Sequence, residues 1–184
     1  ILRKEWFFYT TLLLRINISV FRLTFMFIAA QAQNFLESEN PAVLNAALAE
    51  LYTLKVSRPD LITREVNHPF TECSTFADDI KSIYSFQAGW HFIDQPLTIN
   101  GDSLDNYPDF VLDQYDIVGA LTNQPNGSSV LVMTTLILTT GNKCKELPKD
   151  ADARSFALRM IIHYVGDIHQ PLHSATGLDS YNPK

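Results

Sequence analysis

Residues 163–173 read HYVGDIHQPLH, and this segment decides how the rest of the chain is interpreted. His163 and Asp167 are one helical turn apart, so on a helix they project from the same face. Pro171 ends such a helix because proline lacks an amide hydrogen and clashes with the preceding turn. His173 then lies beyond the break, on irregular chain. The spacing predicts a helix end whose His and Asp side chains can share one metal ion.

A structural interpretation of the same segment competes with the metal site. A single buried histidine is more often satisfied by hydrogen bonds within the core than bound to a metal, and Asp167 alone fits a surface charge. The clustering of three histidines with an aspartate within one short segment favours the metal interpretation.

A second polar cluster lies earlier in the chain. Residues 74–80 read STFADDI and residues 90–94 read WHFID, which places Asp78 on a predicted helix and His91 on a predicted loop. These two side chains can complete the coordination begun by His163 and Asp167. Two His and two Asp suit zinc, and manganese or iron are possible with the same ligands. Taken without the other ligands, the aspartates of the first segment fit a solvated helix face and the aromatic residues of the second fit a core.

Around these clusters the apolar spacing is mostly helical. Asn40 can cap a helix with Pro41 at its first position, and Asp150 or Asp152 can cap the last long helix, which we expect to end near Gly166. The stretch 128–140 is rich in β-branched residues that also suit a strand, but its length fits a buried helix. No glycine-rich phosphate loop or GxSxG element is present. The chain is predicted to be all-α, with helices at residues 40–51, 75–86, 108–121, 128–140 and 150–166.

The N-terminal 25 residues are apolar and ambiguous. Ala30-Gln31-Ala32 resembles a signal-peptidase site after an apolar run, which would place the protein outside the cytosol. Alternatively, residues 26–36 form the first helix of the folded domain. Arg15 and Arg22 interrupt the apolar run, so we expect no membrane-spanning helix here.

Composition bounds the remaining possibilities. With 184 residues, 46% hydrophobic and 18% charged, the chain can close one sizeable core. The net charge of -6 argues against binding nucleic acid through a broad basic face, so a nucleic-acid enzyme of this charge needs cations at its site. Cys73 and Cys144 lack the spacing of a thiolate zinc site and can form one disulfide. Sequons at Asn17 and Asn126 fit a secreted glycoprotein.

Three blocks, FADDI at 76–80, WHFID at 90–94 and HYVGDIHQPLH at 163–173, together resemble the signature blocks of the mung bean and fungal single-strand nucleases. The last block is the most specific of the three. That family is all-helical, shares its fold with zinc-dependent phospholipase C and holds three zinc ions. The resemblance implies a partial zinc nuclease domain over residues 26–184.

The resemblance also implies roles for individual residues. Asp78, His91 and His163 match the terminal ligands of one zinc ion, and Asp167 matches the carboxylate that bridges this ion to a second. His173 matches one ligand of the third ion. This leaves one coordination sphere complete in the chain.

Two further residues match positions that are not ligands. Asp94 corresponds to the family's aspartate beside the metal-bridging water, which makes it the catalytic candidate. His169 matches a position that does not bind metal, and we expect it to be buried support.

Other positions of the family pattern are not matched. If residues 26–34 are the first helix of the family, Val20 and Phe25 stand where the family has a metal-binding Trp and His. Ser180 and Tyr181 replace the glycines of an Asp-Gly-Gly-Asn segment that starts here with Asp179. The later HxxxD pair of the third zinc site is missing as well. The pattern therefore predicts a chain that is incomplete at both ends.

The function implied is a zinc-dependent endonuclease or 3′-nucleotidase that hydrolyses single-stranded DNA or RNA to 5′-phosphate products. A secreted or lysosome-like location accompanies it, with nucleic acid as the partner and no stable membrane anchor. Two alternatives are a zinc phospholipase C-like phosphodiesterase and a truncated, non-catalytic domain that keeps a metal for structure.

Overall fold

The computed structural model describes residues 22–93, 95–98, 101–110, 117, 147, 150–170 and 173–179. The helix predicted at 128–140 lies outside these residues, and so does most of that predicted at 108–121. Both remain predictions.

Two helices open the described part of the chain. Helix α1 covers residues 22–39, in agreement with a first domain helix around 26–36. Helix α2 follows at Pro41–Ser57, and the Asn40 side chain accepts a hydrogen bond from the Val43 amide at 3.4 Å. This cap satisfies one of the amide groups that a helix start leaves without a partner. The predicted cap and the predicted proline position are both confirmed.

The segment that carries the first acidic cluster is broken into short pieces. Helix α3 is Pro69–Glu72, a 3-10 turn covers Cys73–Thr75, and helix α4 covers only Phe76–Ile80 before a second 3-10 helix at Ser85–His91. The single helix predicted at 75–86 is therefore wrong. Its predicted apolar face required Ile83, which is 60% exposed.

Helix α5, Asp150–Ile168, is the centre of the core. It packs against α2, α4 and both 3-10 segments of the preceding region. Phe156, Met160 and Tyr164 of α5 are fully buried, together with its two interior alanines. Burial of these side chains holds the helix in place, so polar residues on the same helix are positioned by the core. The predicted last long helix is confirmed.

A small parallel sheet adds to the helices. Strand β1, Gln95–Thr98, pairs with strand β2, Ala175–Leu178. Neither segment was predicted as a strand, because each is four residues long and shows no apolar alternation. The Ile93 amide also donates to the His173 carbonyl at 2.8 Å. The pairing ties the chain after His91 to the chain at His173.

The protein is thus mostly helical, as expected of an all-α domain, with one two-stranded sheet in the described residues. Within the described ranges no helix combines the length and apolarity needed to cross a bilayer. Cys73 is buried and unpaired there, and Cys144 lies outside the described residues. The disulfide between them stays a prediction.

Candidate metal centre

The floor of the site is the last turn and a half of α5. His163 and Asp167 are both fully buried, and Nε2 of His163 lies 3.2 Å from Oδ2 of Asp167. Their spacing of four residues puts them on one face, as the sequence predicts. These two polar side chains face away from the core, toward an earlier element of the chain that packs on α5.

That element is the 3-10 helix that ends at His91. Nδ1 of His91 lies 2.9 Å from Oδ2 of Asp167 and 3.0 Å from Nε2 of His163. The ring is almost fully buried, with 6% exposed. A single carboxylate oxygen therefore faces two imidazole nitrogens at once.

Asp78 reaches the same point from α4. One ligand atom from each of Asp78, His91 and His163 lies within 4.8 Å of the other two. Ligands about 2.0–2.2 Å from one zinc ion lie at most about 4.4 Å apart. A small closure of side chains is enough for these three groups to share an ion.

The second carboxylate oxygen of Asp167, Oδ1, is turned toward His173. It lies 2.9 Å from Nδ1 of His173, and this buried oxygen accepts no hydrogen bond of regular geometry from the described residues. A buried carboxylate oxygen needs a cationic or hydrogen-bonding partner, which a protonated His173 or a metal ion can supply. The carboxylate can thus face one ion with each oxygen, which fits the residue set to a metal cluster.

The hydrogen bonds on the far side of the two buried rings fix their tautomers. Nε2 of His91 contacts Oε1 of Gln87 at 2.8 Å, and Nδ1 of His163 contacts the Ser74 carbonyl at 2.6 Å. Both partners are acceptors at these atoms, so each ring donates there. In the neutral form of each ring, the nitrogen that faces the centre is then unprotonated, as a metal ligand must be.

Gln87 is itself fixed on every side. Its Nε2 donates to the Ala77 carbonyl at 3.0 Å, and its Oε1 also accepts from the Tyr164 hydroxyl at 2.9 Å. The side chain is fully buried. Sequence reasoning missed this residue. The available signal was its position one helical turn before His91.

The charges at the centre are strongly coupled. Burial raises the pKa of Asp167, but contacts with His163, His173 and His91 outweigh burial and hold the pKa well below its usual range. Burial has the opposite effect on His163 and lowers its pKa, but the Asp167 carboxylate outweighs burial and raises this pKa above the ordinary value. The carboxylate is therefore ionised at neutral pH and attracts positive charge.

A cleft of about 510 Å³ opens above the centre. Polar groups of the centre form part of its wall, and cationic and aromatic side chains form its rim. Its lining residues are Arg22, Phe25, Asp78, Lys81, Ala88, His91, Phe92 and His173. The cleft gives a solvent-borne substrate access to the predicted ligands.

The structure brings together all five predicted ligands, which are Asp78, His91, His163, Asp167 and His173. Asp94, the catalytic candidate, lies outside the described residues, and its role stays a prediction. His169 was expected to be buried, which is wrong. It is exposed at the end of α5, where its Nδ1 contacts the Val165 carbonyl at 2.6 Å.

The ring of Phe25 packs beside the centre. Its ring centroid lies 4.7 Å from that of His163 and 6.5 Å from that of His173. Gly166 permits this approach, because a Cβ there would lie 2.6 Å from Cδ1 of Phe25. An apolar ring thus covers one side of the centre, and Phe25 is the residue for which the resemblance predicts a histidine.

Comparison with known proteins gives one match. The family model described as S1/P1 Nuclease matches residues 25–180, which is most of the chain. No curated protein and no solved structure matches the chain. The matched range includes every residue of the candidate centre. The reaction of this family is hydrolysis of phosphodiester bonds in nucleic acid, and its members generally depend on zinc. The chain belongs to the S1/P1 nuclease family.

Proposed function

We propose that this protein is a zinc-dependent endonuclease or 3′-nucleotidase that cuts single-stranded DNA or RNA and leaves 5′-phosphate products. The observation that supports it best is the convergence of Asp78, His91 and His163 on one point beside the ionised Asp167. In this proposal those four residues hold zinc, and His173 contributes to a neighbouring site.

The ligand chemistry favours zinc. Imidazole nitrogen and carboxylate oxygen are the donors that zinc takes in catalytic sites, where one position is left open for water or substrate. When bound, zinc acidifies a coordinated water and stabilises negative charge on phosphate oxygens. Gln87 and Ser74 keep the two rings in the tautomer that can bind it. The predicted role of Asp94 is to orient the attacking water.

The rim of the cleft supports an anionic substrate. Lys81 and Arg22 line it, and Nζ of Lys81 lies 3.4 Å from Oδ1 of Asp78. On a chain of net charge -6, these cations are placed where a phosphate must approach. In this proposal Lys81 binds an oxygen of the phosphate at the metal centre.

An exposed aromatic ring in the cleft supports the preference for single strands. Phe92 is 37% exposed, and its ring centroid lies 4.7 Å from that of His173. An unpaired base can stack on such a ring, whereas a base within a duplex is already stacked on its neighbours. The ring would hold one base beside the scissile phosphate.

The direct test combines metal content with cleavage. We expect the purified protein to contain zinc, to cut single-stranded DNA faster than duplex DNA, and to lose activity in EDTA until zinc is restored. The new ends should carry 5′-phosphate. The variant His163→Ala should lose both zinc and cleavage, while Arg154→Ala, remote from the cleft, should keep both.

The same experiment decides among the alternatives. Bound zinc without cleavage of any oligonucleotide would support the non-catalytic domain. Turnover of phosphatidylcholine in place of oligonucleotide would support the phospholipase C-like activity. Absence of metal after zinc loading would refute the ligand assignment itself. The secreted or lysosome-like location stays a prediction.

A further inference from the structure

A second cationic group lies next to the metal cleft, on the other side of α4. Asp79, which follows the predicted ligand Asp78, is bound by two arginines. Nη2 of Arg22 lies 3.0 Å from its Oδ1, and Nε of Arg64 lies 3.1 Å from its Oδ2. The Thr75 hydroxyl donates to Oδ2 at 3.0 Å. Asp79 is thereby an anchor that holds two guanidinium groups from different parts of the chain side by side.

Both arginines face open space as well as the anchor. A second cavity, of about 330 Å³, is lined by Arg22, Met26, Arg64, Glu72 and Thr75. Arg22 also lines the cleft above the metal centre, so it belongs to the walls of both cavities. A chain-like ligand that leaves the cleft past Arg22 therefore meets Arg64 next.

The charges around this second cavity favour an anion at the arginines. The side chain of Asp79 is 13% exposed, whereas that of Arg64 is 53% exposed. Glu72 also lines the cavity, but its Oε2 accepts hydrogen bonds from the backbone amides of Val66, Asn67 and His68. Its charge is therefore compensated by the backbone. Of the charged residues that line the cavity, Arg64 is the exposed one, whereas Arg22 and Glu72 are partly buried.

We propose that Arg22 and Arg64 form a binding subsite for a backbone phosphate of the substrate strand, adjacent to the phosphate at the metal centre. This inference rests on the proposed nuclease function. A guanidinium presents five N–H donors in a planar fork, and each ion pair with Asp79 is made through one nitrogen, so further donors can bind phosphate oxygens. Since Asp79 already holds both guanidinium groups in place, little side-chain conformational entropy is lost when a phosphate binds.

The subsite predicts a dependence on substrate length. A dinucleotide has a single phosphodiester, which the metal centre occupies, whereas a longer strand can also reach Arg64. We expect Arg64→Ala to raise KM for a nine-nucleotide single strand about 3- to 10-fold, with kcat unchanged and with no change for a dinucleotide. The salt dependence of oligonucleotide binding should become shallower by about 0.7 in the logarithmic slope, the effect of one lost phosphate contact.

Arg154→Ala is the matched control. Arg154 is 46% exposed and pairs with Glu50 at 3.2 Å, which closely resembles the pairing of Arg64 with Asp79, but it lines neither cavity. This variant should keep KM, kcat and the salt slope. Arg64→Lys, which keeps the charge and loses the fork, should give an intermediate KM and covers the case in which the alanine variant is unstable.

Three outcomes would overturn the subsite. Equal KM values for Arg64→Ala and Arg154→Ala would reduce the arginines to a structural link between α1 and α4. An equal loss on the dinucleotide would place Arg64 in the metal cleft itself. Binding of inorganic phosphate that depends on Arg64, with strand binding unaffected, would indicate a site for free phosphate.

Failure of the proposed function is distinguishable from failure of the subsite. If the zinc-loaded protein cuts no strand, fluorescence anisotropy with a labelled nine-nucleotide strand still measures binding. Weaker binding by Arg64→Ala than by the parent would then support the subsite without the nuclease, and unchanged binding would refute it.

Discussion

Helix α5 carries two buried polar clusters, one turn apart, that are built on opposite principles. In the first, Arg159 is fully buried and forms a two-pronged ion pair with Glu65, with Nε–Oε1 at 2.6 Å and Nη2–Oε2 at 2.7 Å. Its remaining donors reach the Ser155 hydroxyl at 2.7 Å and the Leu51 carbonyl at 2.8 Å. Donors and acceptors match, so the cluster needs no further ligand.

The second cluster, at His163 and Asp167, has more acceptors than donors. The central nitrogens of His163 and His91 both face Oδ2 of Asp167, and the outer hydrogen bonds leave these nitrogens unprotonated when the two rings are neutral. Oδ1 of Asp167 is buried without a regular hydrogen bond. The difference teaches how to separate a structural polar cluster from a ligand site. The first is satisfied by neighbouring protein groups, whereas the second concentrates imidazole nitrogens around one buried carboxylate, an arrangement that can bind a metal cation.

The largest expected effect is the loss of folding stability when the buried Arg159–Glu65 pair is broken. Arg159→Met leaves the Glu65 carboxylate buried without its partner, which should lower the free energy of unfolding by about 3–5 kcal/mol. Urea denaturation of the metal-free protein measures it. The double variant Arg159→Met with Glu65→Leu removes both charges and should recover much of the loss. A single variant as stable as the parent would contradict the structural role.

The next effect separates function from stability. Asp167→Asn keeps the shape and removes the charge, so we expect zinc content to fall and the cleavage rate to drop at least about 100-fold. Unfolding of the metal-free protein should change much less than in Arg159→Met, because the charge removed here also carried a cost of burial. Elemental analysis and urea denaturation of the same sample give both quantities. A variant that keeps its zinc would remove Asp167 from the ligand set.

A smaller effect is expected at Gln87, which orients a predicted ligand without joining the set. Gln87→Leu keeps the bulk and removes the acceptor for Nε2 of His91, so either ring nitrogen can then carry the proton. We expect zinc affinity to fall about 10- to 100-fold. Competition with a chelator of known affinity measures it.

Gln87→Glu is the matched control, because a carboxylate still accepts from the ring. It should bind zinc more tightly than Gln87→Leu, although it loses the bond to the Ala77 carbonyl. Equal affinities for the two variants would show that packing, and not the tautomer of His91, is what Gln87 supplies.

The sequence predicted the long elements because their signals are local. Asn40 and Pro41 mark the start of α2, and the apolar spacing of α5 marks a helix that the structure places at Asp150–Ile168. The spacing of His163 and Asp167 also follows from one helix. Such features depend on residues within a few turns of one another.

The missed features depend on contacts distant in sequence. The helix predicted at 75–86 ends at Ile80, because the next residues turn to bring Gln87 and His91 against α5. The strands β1 and β2 pair across some 80 positions of the chain, so neither has a local pattern. The hydrogen bond by which Gln87 orients His91 likewise could be identified only in the folded chain. The resemblance indicated the predicted ligands, and only the structure gave the hydrogen bonds that orient the rings of His91 and His163.

The smallest expected effect is at Arg154, near the start of α5. It tests whether burial is what makes the Arg159–Glu65 pair stabilise the fold. Arg154 pairs with Glu50 at 3.2 Å, but the two side chains are 46% and 29% exposed. An ion pair in water contributes about 0.2–1 kcal/mol and is screened by salt. Arg154→Ala should therefore lower the free energy of unfolding by no more than that amount, and 1 M salt, where the screening length is about 3 Å, should remove most of the difference. The loss in Arg159→Met should persist at the same salt concentration, since water and ions do not reach that pair. A large loss at Arg154 that salt does not reduce would mean that pairing alone, without burial, stabilises α5.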